Sequence, residues 1–433
     1  MVLAHIVQFL HLTKVAHRDS GTDTGTSATG SELTSTYAAY MNQTQPAGTY
    51  TGQVKYTLVH PSNEEPLQPI ACEAGKICYN TSSSTVQGQM GKQTPNSSEM
   101  TNGITLWAPN FKRDGYGFAG WNDKFDYSGN YYGPNETITA PSDIQTNGLS
   151  LYAVWIKSAG SLQNWNGCSS LASGATTALT DERDNNTYAV AKLADGKCWM
   201  IENLRLADKD SNNNDINLSS TNTHNPSLPL TNSDSTTSNH LSPTTDPTST
   251  AWCENSDSAC IDQSMLATNN TTLFTSNTAS GYSASSNVYS YGNYYNWYSA
   301  TGGHGKYGDS YGNGYHSPGD ICLAGWHLPT GKNATGDFGV LDVALGGTGA
   351  SQSGDAGTAM SLIYRSYPNN FVYSGHVYGS SVGSRNAYGR YWSASGYYSS
   401  SVYDMFFYST YVTPGTGNNS KYNGMVVRCV AGV

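Results

Sequence analysis

Apolar and polar positions alternate in short runs along most of this chain, and turn residues separate the runs. The segments ITLWAPNF, RDGYGFAGWNDKFDYSGNYYGPNETI and LSLYAVWIK read as strands, and TYTGQVKYTLVHP alternates through Val54, Tyr56 and Leu58. Two further strands, Thr187 to Leu193 and Lys197 to Ile201, flank Ala194-Asp195-Gly196. Asp-Gly there supplies the positive φ that a tight hairpin needs. Helical spacing is clearest in GDFGVLDVALGG, with Phe338, Leu341 and Leu345 at i, i+3 and i+7. SLIYRSYPNNFVYSGHVYGSSVGSRNAYG follows as a Gly-rich connection to the last strands. The pattern predicts a β-rich α+β fold.

Composition agrees. Only 12% of the 433 residues are charged, while Gly (46) and Tyr (32) are heavily used, a mix that favours strands and turns over long helices. The net charge of −10, with no basic stripe, argues against a nucleic-acid partner. No run of eighteen apolar residues predicts a membrane span. The apolar patch from Val2 to Leu12 is broken by His5, Gln8 and His11, so a signal peptide is not evident there. Residues 1–48 end in a Ser/Thr/Gly run that buries too little to order itself and read as a disordered stalk.

Eight cysteines, an even number, include no CxxC pair and no histidine at ligand spacing. They point to disulfides and an extracytoplasmic setting, extracellular or at the cell surface, rather than to zinc. No GxSxG, phosphate loop or HExxH occurs, so no catalytic residue, cofactor or metal is assigned.

Residues 49–157 contain Gly-Tyr-x-Phe-x-Gly-Trp (Gly115 to Trp121) and Leu-Tyr-Ala-x-Trp (Leu151 to Trp155). They resemble the Listeria–Bacteroides repeat, also called the internalin B-repeat, which implies a small β-grasp-like module on a bacterial surface protein. Tyr116, Phe118, Trp121, Tyr152 and Trp155 are expected in its core. Residues 158–433 carry LTDERDNNTY (Leu179 to Tyr188), GKCWMIENL (Gly196 to Leu204), YGNYYNWYSA, ICLAGWHLPT, YWSAS and VVRCV in order. They resemble the Fibrobacter succinogenes major paralogous domain, which implies a C-type-lectin-like fold related to that of formylglycine-generating enzymes. The Ser/Thr/Asn-rich residues 208–280 read as a surface insertion. Sequence alone does not fix the disulfide connectivity. The favoured pairing is Cys72–Cys78, Cys168–Cys198, Cys253–Cys260 and Cys322–Cys429.

The segment Arg390 to Cys429 is dense in Tyr, Ser and Asn, and 21 of the 32 tyrosines lie after residue 280. Strand alternation makes Trp392, Met405, Phe407, Val412 and Pro414 the framework. It turns Tyr398, Ser400, Ser401, Asp404, Phe406, Tyr408, Tyr411 and Thr413 outward, with a turn at Ser409-Thr410. With His376, Tyr378, Tyr388 and Arg390 they form the candidate ligand-binding set, since adjacent exposed aromatics on a soluble protein mark a binding patch. The expected partner is a protein or glycan on another cell or surface. The resemblance extends to lectin-fold proteins diversified by retroelements at Asn codons, whose products match these residue types. Competing expectations are an enzyme of the formylglycine-generating fold, with two reactive thiols, and a structural envelope protein.

Overall fold

A computed structural model describes residues 70–88, 90–206, 216, 218–226, 289–302, 304, 316–378, 381–398, 400–421 and 423–431. All belong to one compact unit from Asn63 to Val433. The expected stalk, the strand around Val54, the Cys253–Cys260 pair and most of the expected insertion lie outside the described residues. The protein is β-rich, with several small sheets and few helices. No helix among the described residues is long and apolar enough to cross a membrane.

The N-terminal part runs β1 (Ile77–Asn80), β2 (Gln87–Gly88), α1 (Ser97–Asn102), β3 (Ile104–Thr105) and β4 (Phe111–Lys112). It continues through β5 (Tyr116–Asn122), β6 (Tyr131–Tyr132), β7 (Thr137–Ile138), α2 (Ile144–Asn147) and β8 (Leu149–Lys157). Its main sheet has the order β1-β8-β5-β6, with β1 parallel to β8. The register of β5 on β8 shifts between Phe118 and Gly120. In an unbroken strand, Phe118 and Trp121 would face opposite sides; the extra residue of the bulge turns both inward. Their rings meet at 5.1 Å, and both are buried in one core with Leu151. Tyr152 is buried too, and Trp155 packs at that core's edge. α1 opens with a reciprocal cap in which Asn96 and Glu99 exchange side-chain and backbone hydrogen bonds.

The C-terminal part begins with β9 (Thr176–Thr180), β10 (Thr187–Lys192) and β11 (Cys198–Met200). The hairpin forms where expected, with Gly196 at φ +79° in its turn. Later elements are α3 (Trp297–Ala300), β12 (Trp326–His327), α4 (Asp337–Ala344), β13 (Gln352–Ser353), α5 (Gly354–Arg365), β14 (His376–Tyr378) and β15 (Ser381–Gly383). The last are β16 (Gly389–Tyr398), β17 (Ser401–Tyr408), β18 (Tyr411–Ser420) and β19 (Val430–Ala431). One sheet has the order β12-β19-β11-β10-β9 and another β13-β18-β17-β16. α4 is the expected helix; α5 replaces part of the expected Gly-rich connection. Ile216 and Leu218, placed by sequence in the insertion, are buried in the core beside Trp326 and Trp392.

Disulfides join Cys72–Cys78, Cys168–Cys198 and Cys322–Cys429, and no described cysteine is free. Asp181 and Arg183 form a buried ion pair at 2.7 Å, and the same guanidinium donates to the Ile321 carbonyl at 2.8 Å. This turn thereby locks onto the Cys322 segment.

The two parts meet along a dense seam. A Cβ at Gly117 would fall 2.4 Å from the Ala189 nitrogen, so β5 and β10 touch backbone to backbone. The buried Glu202 carboxylate accepts from the N–H groups of Phe118 (3.0 Å) and Ala189 (2.7 Å) and from Arg205 (3.1 Å). Arg365 donates to Thr137 Oγ1 at 2.8 Å and to the Asn135 carbonyl. Asn135 Oδ1 accepts from the Tyr373 N–H at 2.9 Å. These bonds satisfy polar groups that burial would otherwise leave at a cost.

Candidate functional site: an aromatic face on the C-terminal sheet

β16, β17 and β18 form an antiparallel meander in which Arg390 lies opposite Phe406, Phe406 opposite Thr413, and Tyr408 opposite Tyr411. Ser409 and Thr410 make the turn, as expected. The inward face is framework: Met405, Phe407 and Val412 are fully buried with Phe338 of α4 and Met360 and Tyr364 of α5. Trp392 and Pro414 are buried as well.

On the other face, four partly exposed rings form one cluster. Tyr388 meets Phe406 edge-on at 5.4 Å and Tyr408 at 5.6 Å. Phe406 lies 5.6 Å from Tyr408 and 6.0 Å from Tyr411, and Tyr408 stacks on Tyr411 at 5.4 Å. Arg390 lays its guanidinium over the Phe406 ring at 3.9 Å and pairs through Nη1 with Asp404 at 2.7 Å. Sequence alternation placed Phe406, Tyr408 and Tyr411 on one face, and the fold brings Tyr388 and Arg390 into contact with them.

Two expected outward residues are buried instead. Asp404 is 0% exposed and Thr413 4%. Asp404 lies opposite Trp392, itself fully buried, so the sheet is covered on both faces at that end. Simple alternation assumes one face open to solvent. Thr413 donates to the Phe406 carbonyl at 3.2 Å. Burial raises the Asp404 pKa, and Arg390 opposes that rise.

His376, on the short β14–β15 hairpin, pairs with Gly383. Burial and then the Arg390 charge lower its pKa to about 4, so it is neutral at pH 7. Tyr378 belongs to the same hairpin, but its side chain lies outside the described residues. Among the described residues Tyr398 is the most exposed aromatic at 60%, at the far end of β16; Ser400 and Ser401 are partly exposed beside it. Its ring meets Tyr397 at 4.1 Å, and Tyr397 meets Tyr403 at 5.0 Å. Sequence reasoning missed this second cluster's inner members; the Tyr-Tyr doublet was the available signal.

Elsewhere, Asp337 at the start of α4 accepts from His327, Lys197 and Thr330. Burial works to raise its pKa, but those donors outweigh it and hold it low. The arrangement ties helix start to sheet. Among the described residues, no group of three or more His, Cys, Asp or Glu is placed to hold a metal. No family model, no curated protein and no solved structure matches the chain.

Proposed function

We propose that this chain is a secreted or cell-surface bacterial binding protein whose C-terminal, C-type-lectin-like part displays a recognition face to a ligand on another cell or surface. The supporting observation is the continuous, partly exposed ring cluster of Tyr388, Phe406, Tyr408 and Tyr411 on a rigid sheet. Rigid aromatic anchors surrounded by adaptable polar side chains are what binding hot spots use. Three disulfides fit an oxidising setting. The internalin B-type repeat in residues 49–157 then serves as the platform. Retroelement diversification of the outward positions belongs to the same reading; it requires a neighbouring reverse-transcriptase gene with an imperfect template repeat.

The direct test is a binding screen of the full chain against glycan and surface-protein panels, repeated with Phe406→Ala/Tyr408→Ala. Ligand loss with an unchanged melting transition supports the reading. Ligands that bind the double variant equally well sink it.

A further inference from the structure

Away from the aromatic face, two neighbouring imidazoles are each clamped at one nitrogen by a buried carboxylate. His224 pairs through Nδ1 with Asp320 Oδ2 at 2.8 Å, and His327 through Nε2 with Asp337 Oδ2 at 3.2 Å. The two ring centres lie 6.3 Å apart. Asp320 also accepts the N–H groups of Cys322 and Leu328, both at 2.9 Å. Asp337 accepts from Thr330 at 2.8 Å, and from Lys197 at Oδ1, the oxygen that His327 does not use. Both carboxylates are therefore held in place by groups other than the histidines.

A carboxylate only accepts, so in the neutral ring the clamped nitrogen carries the proton and the opposite one carries a lone pair. Those opposite nitrogens, His224 Nε2 and His327 Nδ1, have no hydrogen-bond partner among the described residues, and neither is sealed from solvent. The two side chains are 36% and 28% exposed. A carboxylate on the far N–H is what metal-ligating histidines use to fix their tautomer and orientation and to raise their basicity. Metal–nitrogen bonds of about 2.1 Å put two ligating ring centres about 4.5 Å apart at right angles and about 6.5 Å apart when opposed. The observed spacing falls inside that range.

We propose that His224 and His327 together bind one divalent transition-metal ion of the kind imidazole prefers: zinc, nickel or copper. Two protein ligands leave the remaining positions to water, so the site is an open one. Calcium and magnesium demand oxygen ligands, and both nearby carboxylates already spend their oxygens on N–H and O–H donors. The ion joins chain segments far apart in sequence. Thr223 bridges to Leu323, and the His224 N–H donates to the Cys322 carbonyl at 2.8 Å, which sets the two histidine-bearing segments side by side. Metal bound there stabilises the fold by mass action.

The test titrates zinc, and separately nickel, into the untagged, chelator-treated full chain by isothermal titration calorimetry, with calcium as the control. It is run at pH 8, because Asp320 raises the His224 pKa and a protonated ring cannot ligate. His224→Asn and His327→Gln each keep an amide donor for the carboxylate and remove the ligating nitrogen; thermal melts check that they fold. The expected result is a class of one zinc or nickel ion per chain that each variant weakens at least about tenfold. The natural chain should melt higher with metal, and both variants should lose that rise. Other histidines exist in the chain, so binding that persists unchanged in both variants lies elsewhere and overturns the proposal. No binding, or calcium bound as tightly as zinc, overturns it as well. Copper-loaded natural chain gives a readout free of substitutions: electron paramagnetic resonance should resolve two imidazole nitrogens, and fewer than two overturn the proposal.

Discussion

The Glu202 carboxylate accepts the backbone N–H of Phe118 at 3.0 Å across the seam between the N- and C-terminal parts. The same group holds Ala189 and Arg205, so one buried side chain ties β5, β10 and the segment after β11. Burial raises its pKa, opposed first by Arg205. Glu202→Ala leaves the buried Arg205 without its ion-pair partner. A loss of about 3–5 kcal/mol is expected, read as a lower denaturant midpoint.

Gly117→Ala should destabilise the protein for a purely steric reason. Its added Cβ meets the Ala189 backbone at 2.4 Å, and a backbone neighbour cannot rotate away. The expected cost is about 1–3 kcal/mol, with faster proteolysis at the seam. Gly115→Ala, two residues earlier, makes a useful contrast: nothing lies within 4 Å of its added Cβ, although φ is +77°. Its cost comes from backbone strain alone, so proteolysis at the seam should stay unchanged.

Cys322–Cys429 closes a separation of 107 residues, whereas Cys72–Cys78 closes six. The chain-entropy relation assigns about 5 kcal/mol to the first and about 2 kcal/mol to the second. Replacing each pair by alanines and comparing unfolding midpoints should reproduce that order. Equal effects would show that native packing, not loop length, sets the contribution.

His376 gives the face a pH signature. Its folded pKa lies near 4, below the ordinary 6.5, so between these values the unfolded chain binds more protons than the folded one. Its stabilising contribution is therefore complete above about pH 6.5 and declines as pH falls toward 4. Denaturant titrations at pH 7.5 and pH 5 should show the loss, and His376→Gln should shrink it.

What the sequence made legible follows from local chemistry. The β10–β11 hairpin was marked by Asp195-Gly196, α4 by the spacing of Phe338 and Leu341, and the inward face of β17 by Met405 and Phe407. α5 escaped because its buried stripe is Gly357, Met360, Ser361, Tyr364 and Arg365, which carries little apolar periodicity. Gly357 is there for a close approach: a Cβ would sit 2.3 Å from the Thr410 carbonyl oxygen. The seam escaped for a related reason. Its contacts are backbone groups, buried arginines and Asn135 at φ 61°, none of which a hydrophobic pattern reports. At the candidate face, alternation identified Phe406, Tyr408 and Tyr411, while Tyr388 joins them from the segment before β16. It misjudged Asp404 because the covering residues near Trp392 come from distant parts of the chain.

β19 lies between β11 and β12, with Val430 paired to both Trp199 and His327. Trp199 and Val430 stand 231 positions apart (430 − 199). At the usual speed of synthesis, roughly ten to fifty seconds separate them as the chain emerges. Throughout that interval β11 keeps an open edge, the kind of surface that invites pairing with other chains. Cys168–Cys198 involves residues made well before Cys429, so the hairpin can be secured while the sheet stays incomplete. Overexpression is therefore expected to trap oligomers paired through this edge before Cys322–Cys429 closes, read as disulfide-incomplete species on non-reducing gels.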